Sequence, residues 1–106
     1  MPKYLVAVSY TAEGAKGVAK EGGTGRMDAA RDMIESLGGK LECFYFAFGD
    51  ADVYAIADLP SPTEAAALAL AVGASGAVAT KTTVLLTPRE VDEAAKKAVR
   101  YRPPGA

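Results

Sequence analysis

The chain has no histidine, no tryptophan and a single cysteine, Cys43. Without histidine, the commonest metal ligand and the commonest general base are both missing. Haem ligation by histidine, the usual zinc sites and Ser-His triads are therefore excluded. One cysteine excludes an internal disulfide. Cys43 sits between Glu42 and Phe44, surroundings that suit an inert thiol. Long hydrophobic runs are also lacking. The most apolar stretch, Ala65 to Val72, is far too short to span a bilayer, so no membrane partner is expected. Nor is there an excess of charge of one sign. Twelve basic and thirteen acidic residues leave −1. With no basic stripe, nucleic acid is not an expected partner. The one basic cluster, Lys96, Lys97, Arg100 and Arg102, is interleaved with alanines and reads as a solvated helix face and tail. Met1-Pro2-Lys3 leads straight into a patterned strand with no leader visible, and a reducing cytoplasm is the expected location.

What is present is apolar content, at 50% of 106 residues. That length suits one domain covering 1–106. By surface scaling it buries roughly 65% of what the unfolded chain exposes, enough for one core but not for a deep private cavity besides. A ligand pocket would form more easily at a subunit interface.

Residues 3–10, KYLVAVSY, predict a first strand. A short helical region follows from Thr11, and EGGTG at 21–25 breaks it. A second helical piece is expected from about Thr24 to Leu37, with Met27, Ala30, Met33, Ile34 and Leu37 at helical spacing. Gly38-Gly39 supplies a left-handed stop. Residues 40–48 predict strand two and 52–58 strand three, joined as a hairpin through Gly49-Asp50-Ala51. Ser61-Pro62-Thr63-Glu64 and Thr87-Pro88-Arg89-Glu90 then repeat one pattern: hydroxyl cap, proline, and glutamate at the third helical position. They open helices expected over 62–72, stopped by Gly73, and over 88–101, with strand four at 77–86 between them. The two glutamates are capping partners, not catalysts. In the last helix Val91, Ala94, Ala95, Ala98 and Val99 form an apolar stripe.

This order, βαββαβ with a terminal helix, is the α+β, ferredoxin-like pattern. Its sheet reads as apolar on both faces. Strand one offers Tyr4, Val6 and Val8 one way and Leu5 and Ala7 the other. Strand two offers Leu41, Cys43 and Tyr45 against Phe44, Phe46 and Phe48. A sheet with one wet face should alternate apolar with polar. The expectation is therefore a homodimer with sheet packed on sheet, a dimeric α+β barrel.

KYLVAVSYTAEG, the LGGKL turn, the start of strand three and the segment from Pro60 to Val91 together resemble the GYD domain family of small bacterial proteins. The resemblance covers roughly residues 3–99. It implies a dimeric α+β barrel and supplies little chemistry. The family is named for a Gly-Tyr-Asp pattern near this hairpin. Gly49 and Asp52 match its ends, while Ala51 stands where tyrosine is expected. Tyr54 is the candidate substitute, placed by strand alternation on Asp52's face.

The candidate site residues are Tyr10, Asp52, Tyr54 and Arg26. Asp50 reads as a turn residue. Asp52 reads first as an acceptor for backbone amides at the hairpin, and second as a general base. Tyr10 and Tyr54 are amphipathic and suit buried rings with wet hydroxyls. Lys81 is an edge-strand gatekeeper or an anion contact. Gly22-Gly23-Thr24-Gly25-Arg26 reads as a flexible connection able to act as a lid, with Arg26 its cation, ahead of an anion cradle. The leading functional expectation is a homodimer that binds a small, partly apolar or aromatic molecule through these four residues. No cofactor and no metal is expected. The alternatives are a cofactor-independent isomerase or monooxygenase, with Asp52 as base and Tyr10 stabilising an oxyanion, and an assembly protein without ligand.

Overall fold

A computed structural model describes residues 1–106. The elements run β1 (Lys3–Tyr10), α1 (Ala12–Glu21), α2 (Gly23–Ser36), β2 (Lys40–Phe46), β3 (Val53–Asp58), α3 (Pro62–Ala74), β4 (Val78–Leu85) and α4 (Pro88–Ala95). The four strands form one antiparallel sheet in the order β2-β3-β1-β4. β1 and β2 thus run parallel on either side of β3. The α+β architecture is compatible with the ferredoxin-like pattern.

Cross-strand partners share a face, so the register sorts the side chains. Tyr4 pairs with Ala57 and Val6 with Ala55. All four are buried, on the face that α2 and α3 cover. Tyr4, Ile34, Ala57, Leu59, Ala65 and Leu68 make the core cluster. A bulge between Leu41 and Cys43 turns Leu41 onto the same face as Phe44, opposite Ala57 and Ala55. Strict alternation had grouped Leu41 with Cys43 and Tyr45. The bulge corrects that and adds an apolar residue to the helix-covered side.

The other face carries Leu5, Ala7, Tyr54, Ile56 and Tyr45. Tyr45 is 70% and Tyr54 39% exposed. The second face expected from the strand pattern is apolar at its centre and open in the single chain, while Lys81 and Thr83 of β4, opposite Ala7 and Leu5, and the Lys3–Asp58 pair make its margins polar.

Several boundaries differ from the sequence reading. Residues 21–25 are not a loop. Gly22 alone, at φ 88°, separates α1 from α2, and its N–H closes α1 onto the Val18 carbonyl at 2.7 Å. α3 runs through Gly73 to Ala74, and the positive φ falls on Gly76 instead. The hairpin connection is longer than a tight turn, spanning 47–52, with the Ala47 N–H donating to the Asp52 carbonyl at 2.8 Å. The last helix stops at Ala95, not at 101. Every residue from Pro88 to Ala106 is exposed, so no packing extends it. This arm stretches the molecule to 57 Å and its radius of gyration to 16.9 Å. A globular chain of this length has about 13 Å.

Both proline-led caps form. Thr87 makes the full reciprocal box: its hydroxyl accepts the Glu90 N–H at 3.1 Å, and Glu90 accepts the Thr87 N–H at 2.9 Å. At Ser61 the hydroxyl accepts the Thr63 N–H and donates to the Glu64 carboxylate.

Candidate functional site

The sheet separates two groups of candidate residues. Tyr10 ends β1 on the helix-covered face, paired with Val78. Arg26 lies in the first turn of α2, its N–H bonded to the Gly22 carbonyl at 3.1 Å. Between sheet and helices, Tyr10, Arg26, Met33, Ile34, Phe44 and Leu68 help line a cavity of about 60 Å³. Arg26 is the one charged residue in its wall. A cleft of about 130 Å³ over α1 shares Tyr10, Arg26 and Val78 with it. Tyr10 and Arg26 therefore stand where the inner cavity adjoins this cleft, which also holds Glu13 and Glu21.

Glycine makes this geometry possible. A Cβ on Gly14 would collide with the Ala77 carbonyl and come within 3.2 Å of the Tyr10 ring. Its absence lets α1 lie against the start of β4, where the Thr11 N–H also donates to Ala77 at 3.0 Å.

The Arg26 side chain is only partly satisfied. Its Nε is buried and has no hydrogen-bond partner. Its Nη1 lies 3.9 Å from the Glu21 carboxylate, a loose pair at a half-exposed position. A buried donor without an acceptor costs about 1–3 kcal/mol. Such a group is provided for if a bound molecule brings the acceptor.

Asp52 lies apart from this cavity. Its carboxylate accepts the Tyr10 backbone N–H at 2.8 Å, while its own N–H donates to the Val8 carbonyl at 2.8 Å. It ties the hairpin to the end of β1, the backbone role its position suggested. It lines none of the three main cavities. Tyr54 faces the opposite side of the sheet. There, with Ala7, Ser9, Asp50 and Lys81, it borders an open hollow of about 380 Å³. The four candidates are thus not one constellation: Tyr10 and Arg26 line the same cavity, Asp52 braces the Tyr10 backbone, and Tyr54 belongs to the open face.

The GYD domain family matches residues 4–95 of the 106. The chain belongs to the GYD domain family. No curated protein and no solved structure matches it. In this GYD domain, Ala51 is buried at the rim of the open-face hollow.

The two clearly displaced ionisations lie away from the inner cavity. The Lys3 ammonium is held above its ordinary 10.5, first by Glu42 at 2.7 Å and then by Asp58 at 3.0 Å. Glu90 is held below its ordinary 4.5 by the Thr87 N–H and hydroxyl. Histidine, cysteine and carboxylates nowhere gather in a group of three able to hold a metal ion. No helix is long and apolar enough to cross a membrane. Sequence reasoning missed Val78, Met33 and Leu68 as site components. Their types look like core, and only the packing leaves a gap beside them.

Proposed function

We propose that this GYD domain works as a homodimer that binds a small, partly apolar or aromatic molecule in the inner cavity. Tyr10 and Arg26 sit at the mouth in this reading. The observation that carries it is the buried Arg26 Nε, an unpartnered donor beside an apolar gap. The gap, at about 60 Å³, is smaller than the roughly 150 Å³ that admits benzene. The ligand therefore places an apolar end inside and an acceptor atom at Arg26, with the rest in the adjoining cleft. The homodimer reading is supported by the open second face, where Leu5, Ile56, Tyr45 and Tyr54 present apolar surface.

Butyrate and pentane, whose slender chains suit so small a gap, are the probes that separate acceptor from shape. Butyrate is expected to raise the thermal midpoint of the wild type. At a hundredfold excess over Kd the stabilisation is about 2.7 kcal/mol. Pentane should give less. Arg26→Met removes the orphaned donor while keeping bulk. The free variant should be as stable as wild type or more so, and its butyrate response should vanish. An equal butyrate shift in both proteins, or none in either, overturns the reading.

A further inference from the structure

The sequence predicts a helix to residue 101, while the single chain is helical only to Ala95. The arm that follows has no support from its own fold. Val91 is 52%, Val99 78% and Tyr101 71% exposed. An eight-residue helix with an exposed apolar stripe is marginal in isolation. The basic part of this arm, Lys96 to Arg102, also lies outside the span matched by the family.

The charges along the arm supply the partner. Glu90, Asp92 and Glu93 outnumber Arg89 in its first half, and Lys96, Lys97, Arg100 and Arg102 fill its second. On a helix continued to Tyr101, Val91, Ala94, Ala95 and Ala98 form one stripe. Glu90 and Lys97 then fall on one flank of the stripe, and Asp92 and Lys96 on the other. Such a helix is complementary to itself when turned end for end. Packed antiparallel about a two-fold axis near Ala94, each Asp92 meets the Lys96 of a second copy, and each Glu90 meets its Lys97. The alanine stripe lets the two axes approach to about 8 Å. A two-fold contact of this kind joins identical patches and closes on itself.

We propose that residues 88–101 pair antiparallel with the same segment of a second copy of this chain, and that residues 96–101 become helical as they do so. The contact is small beside the roughly 1,200 Å² of a stable specific interface. It depends on the high effective concentration that a homodimer provides, and to that extent it rests on the homodimer reading above.

Two full-length variants test it, Asp92→Lys and Lys96→Asp. Both positions are exposed, so the fold of the single chain is expected to be unchanged. Each variant alone sets like charges across the axis, and an equimolar mixture restores opposite ones. Like-charge pairs within each arm persist in the mixture, so recovery reports the contact between copies. Sedimentation should show each variant's dimer dissociation constant raised on the order of tenfold, with the mixture returning to wild type. Far-UV circular dichroism should follow in parallel, with helical signal lost in each variant and regained on mixing. A dissociation constant unaltered in both variants overturns the arm pairing and leaves the homodimer standing. So does weakening that mixing fails to repair. A wild-type chain that stays monomeric overturns both.

Discussion

Asp52 shows how one carboxylate can look catalytic in a sequence and serve the backbone in the fold. Its oxygen takes the Tyr10 N–H at 2.8 Å at the end of β1, where no neighbouring strand supplies that acceptor. Asp52→Ala is expected to cost about 1.5–3 kcal/mol in urea unfolding, because the bond is charge-assisted. Asp52→Asn keeps an acceptor and should recover part of the loss. Glu90 makes a related bond at a fully exposed site. Its folded pKa is depressed, so its contribution to α4 is present above the unfolded value of 4.5 and is lost as pH falls through the lower folded value. Carboxyl NMR shifts of Glu90 should therefore titrate below 4.5. Helical signal from α4 should decline over the same window, and Thr87→Ala should move the titration back up.

Among the elements, the α1–α2 pair decides the shape of the cavity mouth. α1 reaches the start of β4 only because Gly14 carries no side chain. Gly14→Ala introduces a clash with backbone that cannot rotate away, and destabilisation of about 1–3 kcal/mol is expected. The same substitution should also shift the tyrosine signal of Tyr10 in NMR spectra, since the ring sits 3.2 Å from the new methyl. The helix boundaries were readable at the capped ends. Ser61-Pro62 and Thr87-Pro88 start α3 and α4 where the hydroxyl-proline-glutamate pattern puts them. The ends without a cap were not readable. Gly73 stayed helical, because a glycine inside an exposed turn costs only about 1 kcal/mol and neighbouring alanines carry the helix past it.

At the scale of the whole molecule, the open sheet face and the exposed arm both leave apolar surface in water. Leu5 and Ile56 lie opposite each other on β1 and β3, at the centre of that face. If copies meet there, Ile56→Lys should dissociate them. The dimer constant should weaken well beyond tenfold in sedimentation while the single-chain circular dichroism stays native. The same face holds Tyr54 and its hollow, so dimerisation would close that space as well.

By itself the sequence determined the order of strands and helices, the capped helix starts, the two apolar sheet faces and the family. Each is written in local chemistry: residue period, caps and turn residues act within a few positions of one another. Tertiary structure alone decided the rest. The Leu41 bulge, the single-residue hinge at Gly22, the grouping of Tyr10 with Arg26 and the separation of Tyr54 from them all depend on which distant segments pack together. The inner cavity is the clearest case. A gap is a property of imperfect packing between α2, α3 and the sheet, and no residue type along the chain encodes an empty volume.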